Sequence, residues 1–168
     1  GISAAKSITI AAPAKTPSAP KLDPSSDTGN STIDNVTSDT TPTMVGTGTA
    51  GGAITILDGG VSIGSTVANG AGNWSFTPST ALSAGVHTMT ARETDDAGTS
   101  LTSAVRSITI DSTPALVTGV AAAGTTKQPG SEVQVKVTFS ELVFVDLAGG
   151  TPTIELATGS TLRKASYV

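Results

Sequence analysis

A short motif occurs twice in this chain, 100 residues apart. Residues 3–10 (SAAKSITI) and residues 103–110 (SAVRSITI) agree at seven of eight positions when Lys6 is counted as equivalent to Arg106. Internal repeats constrain the architecture more than any local pattern, and solenoid units repeat every ~20–50 residues. A longer period of this kind is the length of one small β-sandwich domain. The chain is therefore predicted to be part of a string of such domains, and its function to belong to the string.

The repeat and the turn residues predict four parts. Residues 1–12 are expected to be the last strand of a preceding repeat, and the proline-rich residues 13–20 a linker. Residues 21–111 are predicted to form one complete sandwich, whose polar stretch 21–42 has little to bury beyond Leu22, Ile33 and Val36. Residues 112–168 are predicted to form the first half of a following, incomplete one, with strands over 115–120, 132–139, 142–145 and 152–156. Because it lacks an initiating Met, the chain is expected to be internal to a longer polypeptide.

The pattern of apolar residues indicates strands throughout. Apolar residues alternate or cluster in short runs, turn residues interrupt them every 8–12 positions or so, and helical periodicity is absent. Asp58-Gly59 between two apolar runs predicts a hairpin. Trp74 and Phe76 share a sheet face and are predicted to lie at the centre of the core. A long strand over 86–94 is predicted to have His87, Met89 and Ala91 on one face, with Met89 in the core and His87 partly buried. The predicted fold class is all-β, with tandem antiparallel sandwiches joined by short linkers.

Composition and charge exclude several classes of partner. The net charge is −4 and only 13% of the residues are charged, with no basic cluster. Such a chain is not expected to bind nucleic acid or an anionic membrane. No apolar run approaches the ~18 residues of a membrane span, so membrane insertion is not expected. Cysteine is absent, so a source of rigidity other than disulfides is needed, and a bound metal is one option.

No residue pattern predicts catalysis. His87 is the only histidine, and any Ser-His-Asp triad would have to use it from within a predicted strand. A zinc site would need more nitrogen or sulfur ligands than the chain offers. The glycine-rich stretch 46–52 lacks the lysine of a phosphate-binding loop and is predicted to be a turn. The chain is therefore predicted not to be an enzyme.

Five aspartates are the candidate metal ligands. Calcium prefers six to eight hard oxygens, and it mixes carboxylates with main-chain carbonyls. Asp27 and Asp34 lie in one irregular loop, Asp95 and Asp96 head a turn, and Asp111 ends the strand at the exit of the module. The alternative is that these residues favour turns through local hydrogen bonds. The spacing leaves open which of them meet in one site.

Three segments of the chain carry a family pattern: SDTGNSTIDNVT at 26–37 with TTPT at 40–43, GNWSFTP at 72–78, and AGVHTMTA at 84–91 with TDDAG at 94–98. Together they resemble the bacterial immunoglobulin-like repeats of giant secreted and surface adhesins of the calcium-binding type. The last third resembles a related sandwich repeat through VTFSE at 137–141 and GTPTI at 150–154. Two positions depart from the family pattern: Thr99 stands where Asn is common, and Ala11 stands where the second copy of the repeat has Asp111.

The resemblance implies a structural role outside the cell. It implies an immunoglobulin-like fold, calcium near the junctions between modules, and an extracellular or cell-surface location. It also implies a stalk or extender repeat that acts in attachment or in a biofilm matrix. The expected partners are neighbouring repeats of the same polypeptide. One alternative is a subunit of a self-assembling filament or surface layer, in contact with other copies of itself. A third is a non-catalytic accessory module of a secreted polysaccharide-active enzyme.

Overall fold

The chain divides into two units, residues 1–113 and 114–168. The repeat copy at residues 3–10, and with it the predicted strand of a preceding module, lies outside the described residues. The structure, a computed structural model, describes residues 13–29, 31–122, 133–145, 147–158 and 161–167.

The described part of each unit is built from strands joined by turns and irregular segments. The first unit contains β1 (Lys21–Leu22), β2 (Val36–Thr37), β3 (Met44–Thr47), β4 (Ala53–Asp58), β5 (Val61–Val67), β6 (Asn73–Phe76), β7 (Gly85–Thr94), β8 (Ser100–Thr102) and β9 (Arg106–Ile110). The second contains β10 (Val117–Ala122), β11 (Val135–Phe139), β12 (Thr153–Thr158) and β13 (Thr161–Ser166). Within the described ranges there is no helix that could cross a membrane.

The strands of the first unit form two sheets. One sheet has the order β1-β3-β6, and the other has the order β2-β9-β7-β4-β5 with β8 beside one end of β7. Asp58 and Val61 pair across the predicted hairpin turn. The predicted all-β sandwich is confirmed. All pairs in the first unit are antiparallel except that of β2 with β9, which is parallel and joins Val36 to Thr109.

The core lies between the two sheets. Along each strand every second residue faces inward, and these residues meet in the core. Trp74 is 3% exposed, as predicted. Phe76, predicted to lie with it at the centre of the core, is only partly buried and packs against the buried cluster. The buried core residues are Leu22, Met44, Ile54, Ile56, Ala68, Trp74, Met89, Ala91, Ile108 and Ile110. Both sheets contribute, so burial of this apolar surface holds them together.

The proline-rich segment before β1 lies against the sandwich. Pro17 and Pro20 are buried. The N–H of Ser18 donates to the carbonyl of Thr47 at 2.9 Å, and the N–H of Thr47 donates to Ser18 Oγ at 2.9 Å. Proline lacks an N–H and suits an edge position, where no ladder hydrogen bond is lost. Residues 13–20, predicted to be a linker, therefore contact the module along the end of β3.

The polar stretch between β1 and β3 differs from its prediction in what it buries. Of the three residues expected to be buried there, Leu22 is buried, but Ile33 is 84% exposed and Val36 is 39% exposed. Asp27 and Thr37 are buried instead. The parallel pairing of β2 with β9 positions Thr37 beside Ile110, and the Thr37 hydroxyl donates to the carbonyl of Ser26 at 2.6 Å. Hydrogen bonding within the loop thus takes the place of apolar burial.

The second unit consists of two antiparallel pairs, β10 with β11 and β12 with β13. The strands predicted over 115–120, 132–139 and 152–156 correspond to β10, β11 and β12. The strand predicted over 142–145 is absent from the described structure, and β13 was not predicted. None of the second unit's residues with a described burial is buried. Alternation predicts a strand, but burial requires a second sheet to cover it.

Candidate functional site

The inward-facing row of β7 determines where the polar groups of the module lie. Four residues of this strand alternate into the interior, in the order His87, Met89, Ala91 and Glu93. The two apolar residues are in the middle, and the two titratable residues are at the ends. A ten-residue strand spans about 30 Å. The two polar groups therefore mark opposite ends of the sandwich.

Glu93 holds two segments of the chain together at one end of β7. Its side chain is 1% exposed. Oε1 accepts the N–H of Lys15 at 3.2 Å, and Oε2 accepts the N–H of Thr49 at 2.9 Å. Burial opposes the charge of the carboxylate, but these donors outweigh it and lower the pKa of Glu93. The residue is thus a charged anchor that fixes the proline-rich segment to the turn between β3 and β4.

Two glycines make room for this carboxylate. A Cβ at Gly48 would lie 2.6 Å from Glu93 Oε2, and a Cβ at Gly52 would lie 2.9 Å from Oε1. Any larger residue would displace the carboxylate. The glycine-rich stretch 46–52, predicted to be a turn, is a turn only from residue 48, because Gly46 and Thr47 are the last two residues of β3. Its glycines at 48 and 52 enclose a carboxylate of the chain itself.

Asp95 adds a second contact to the same segment. Its Oδ1 accepts the N–H groups of Thr99 at 2.7 Å and Ala97 at 3.0 Å, and Oδ2 accepts the N–H of Ala14 at 3.3 Å. The amides of Thr99 and Ala14 lower the pKa of Asp95. Asp96 beside it is exposed. The segment containing Ala14 contacts Glu93 and Asp95 at this end of the sandwich. We call it the leading end.

Asp111 lies at the other end of β7. Gly85, the first residue of β7, pairs with Ile110, the last of β9. The N–H of Asp111 donates to the carbonyl of Thr37 at 2.8 Å. The side chain of Asp111 is exposed, and its Oδ1 accepts the N–H of Thr113 at 3.4 Å. We call this the trailing end. Asp111 and Asp95, both candidate calcium ligands, therefore lie at opposite ends of one module.

His87 forms an ion pair near the trailing end. Its Nδ1 lies 2.6 Å from Asp58 Oδ2, and its Nε2 lies 2.9 Å from the carbonyl oxygen of Ser83. Both ring nitrogens face acceptors, an arrangement that only the doubly protonated ring satisfies. Burial lowers the pKa of His87, but the Ser83 carbonyl and the Asp58 carboxylate outweigh it and raise that pKa overall. His87 was predicted to be a strand residue that is at least partly buried, and this is confirmed: it lies on β7 and is buried. Its partner is the carboxylate of Asp58.

Asp27 and Asp34 lie together in the loop between β1 and β2. Asp27 is 3% exposed, and its Oδ2 accepts the N–H of Asn35 at 3.1 Å. Its Oδ1 is buried and has no hydrogen-bond partner in the described part of the chain. Asp34 is exposed, and its Oδ1 accepts the N–H of Val36 at 3.0 Å. Burial first, and then the neighbouring Asp34 carboxylate, raise the pKa of Asp27.

The five predicted ligands lie in three separate places. Asp27 and Asp34 are in one loop, where Asp27 is buried and Asp34 is exposed, Asp95 is next to Asp96 in one turn, and Asp111 is alone at the trailing end. No set of three or more His, Cys, Asp or Glu side chains suited to a metal occurs among the residues the structure describes. Metal ligation remains a prediction for each of the five.

The sequence analysis did not predict that Glu93 lies in the interior and anchors other segments, although the inward position could have been predicted. Glu93 has the same parity along β7 as the predicted inward residues His87, Met89 and Ala91. Continuing that alternation by two residues would have placed its carboxylate in the interior.

Comparison with known families identifies the first unit. A family model described as bacterial Ig-like domain matches residues 13–112. The chain belongs to this family. The matched range includes Ala14 and Lys15, whose amides bind Asp95 and Glu93 of the sandwich. No curated protein matches the chain significantly. Domains of this family occur in bacterial surface proteins.

Proposed function

We propose, on the premise of membership in the bacterial Ig-like family, that this chain is part of a stalk in a large secreted or surface adhesin. The stalk would extend an adhesive region from the bacterial cell or crosslink a biofilm matrix. One observation carries the proposal: the chain is anchored to the first unit at opposite ends of β7. It is held at the leading end through Lys15 and leaves at the trailing end after Ile110.

This arrangement suits a spacer because both anchors are made by main-chain groups. Lys15 and Ala14 are bound through their amides to the carboxylates of Glu93 and Asp95. Asp111 is bound through its amide to the carbonyl of Thr37. Modules joined in this way add their lengths, about 30 Å each from the length of β7. A compact recognition module would not need its two chain ends so far apart.

We further propose that calcium stiffens the junctions between modules. Asp111 at the trailing end and Asp96 at the leading end are exposed carboxylates. In a tandem array, the trailing end of one module would approach the leading end of the next, and calcium could join carboxylates from both. The residue 100 positions before Asp111 is Ala11. The junction before the first unit would therefore depend on the Glu93 and Asp95 anchors.

The experiment is small-angle scattering from arrays of one to four copies of residues 13–112, each with calcium and with chelator. The maximum dimension should increase by about 30 Å or more with each copy. Calcium should narrow the distribution of dimensions, and an Asp111→Asn array should lose that effect. Compact arrays whose dimension does not grow with copy number would contradict the stalk.

A second candidate function is self-assembly into a filament or surface layer. The observation that favours it is the large exposed apolar residues on β10 and β11, among them Val117, Val120 and Phe139. A strand from another copy could cover such a surface. Sedimentation velocity on the whole chain over a range of concentrations tests it. Assembly that grows with concentration and is lost in Phe139→Ser would favour this candidate.

A further inference from the structure

The outward face of the three-stranded sheet forms an open groove. The sheet order β1-β3-β6 places Lys21 opposite Val45, and Val45 opposite Ser75, in one row across this face. Thr47 lies opposite Asn73 in the next row. These residues alternate with the buried residues of the same strands, so their side chains face away from the core. The groove has a volume of about 860 Å³, which is within the range of ligand sites in proteins.

Residues of the other sheet complete the two sides of the groove. β9 lies beside β1, and β5 lies beside β6. Arg106, the first residue of β9, lines one side, while Thr66 of β5 and Asn69 after it line the other. The Trp74 ring lies beneath, in the space that a side chain at Gly46 would occupy. The groove therefore crosses the sheet from one edge of the sandwich to the other.

The charge of the groove differs from that of the chain as a whole. The chain has 13 Asp and Glu residues against 9 Lys and Arg. The described lining of the groove contains Lys21 and Arg106 but no carboxylate. Both cations are exposed, and neither belongs to the ion pair found among the described residues, that of His87 with Asp58. The groove is thus locally positive on an acidic protein and attracts anions.

Uncharged polar groups outnumber these two cations. The side chains of Thr47, Asn73 and Ser75 are exposed and make no hydrogen bond within the described part of the chain. Hydroxyl and amide groups both donate and accept hydrogen bonds, so they match the hydroxyl groups of a sugar. Trp74, the one aromatic residue of the described lining, is 3% exposed. Sugars in this groove are therefore held by hydrogen bonds and charge instead of by stacking on a ring.

We propose that this groove binds an acidic polysaccharide, a chain of uronic-acid sugars. Lys21 and Arg106 pair with carboxylates of the sugar chain, and Thr47, Asn73 and Ser75 bind the hydroxyl groups between them. Two cations among more numerous uncharged groups suit a polymer with one charge per sugar. Nucleic acid is bound mainly through many phosphate contacts, which two cations do not supply. The groove lies on the side of one module, so the proposal does not depend on the stalk.

The experiment is titration of the whole chain with oligogalacturonate at low salt, followed by calorimetry and by the NMR signal of the indole N–H of Trp74, the only tryptophan. Chelator is present so that calcium cannot bridge two acidic molecules. Dextran, which is neutral, and single-stranded DNA are the comparison ligands. The test variant is Lys21→Gln with Arg106→Gln. Its matched control is Lys15→Gln with Arg92→Gln, which changes the net charge equally at exposed residues outside the groove.

Oligogalacturonate should bind and shift the indole signal, and dextran and DNA should bind more weakly. The affinity should fall at least about tenfold in the test variant, because charged hydrogen bonds are lost, and the control variant should keep its affinity. Asn73→Ala, which leaves the charge unchanged, should weaken binding about threefold. Circular dichroism verifies that these surface variants are folded.

Several results would overturn the proposal. One is absence of binding at millimolar oligogalacturonate. Another is equal binding of dextran or of DNA, which would mean that the groove does not recognise an acidic sugar. Equal loss of affinity in the two double variants would assign binding to the net charge, and full affinity in Asn73→Ala would place the ligand outside the groove.

Discussion

The carboxylate of Glu93 accepts a hydrogen bond at 3.2 Å from the N–H of Lys15, 78 positions earlier in the chain. This contact joins the end of the longest strand, β7, to the segment that leads into the module. The other oxygen accepts the N–H of Thr49 at 2.9 Å. One buried charge thus organises three distant segments, and the leading end depends on it.

Replacing Glu93 by Ala should loosen the leading end. The amides of Lys15 and Thr49 lose a charged acceptor, and hydrogen bonds to charged groups contribute about 1.5–3 kcal/mol each. Amide hydrogen exchange should show lower protection at both residues. Glu155→Ala is the control, because Glu155 is exposed. Unchanged protection at Lys15 in Glu93→Ala would mean that the anchor is unimportant.

The ion pair of His87 with Asp58 should make stability depend on pH. The pKa of His87 is raised in the folded state, so its contribution is fully present below the unfolded value of about 6.5. It is lost as pH rises through the folded value. Urea unfolding from about pH 6 to pH 9 should therefore show a decline that His87→Gln removes. A decline that persists unchanged in His87→Gln would assign it to other groups.

Replacing Trp74 by Ala should destabilise the sandwich by about 3–5 kcal/mol, because the ring is buried between the sheets. Gly46→Ala should also be unfavourable, since its Cβ would collide with the Trp74 ring. Val61→Ala is the control, because Val61 is exposed on β5 and should change stability by about 0.5 kcal/mol or less. Urea unfolding followed by circular dichroism measures all three. A small effect in Trp74→Ala would contradict its place in the core.

Calcium should raise the melting temperature of the chain. A ligand that binds only the folded state at ~100 times its Kd adds about 2.7 kcal/mol. Calorimetric melts in calcium and in chelator should therefore differ by several degrees. In Asp27→Asn that difference should shrink, and in Asp39→Asn it should not. Melts that coincide in calcium and chelator would count against every calcium site proposed for this chain.

Sequence patterns located most of the fold correctly because they depend on near neighbours. Alternation placed Trp74 and Met89 inward, and Asp58-Gly59 marked a hairpin that the structure contains. The same patterns failed for Ile33, which was expected to be buried and is exposed. An irregular loop has no periodicity, so composition alone cannot show which of its side chains turns inward.

The amino-acid sequence alone determined the all-β class, the core strands and the family resemblance, because each rests on residue types at short, regular spacing. Only the tertiary structure decided which ends of the sandwich the acidic residues occupy. It separated Asp95 from Asp111 by the length of β7, and it buried Asp27 while leaving Asp34 exposed. It also placed the Glu93 carboxylate against the N–H of Lys15, 78 positions away. Such relationships depend on strand order and register, which pair residues distant in the chain and leave no local pattern.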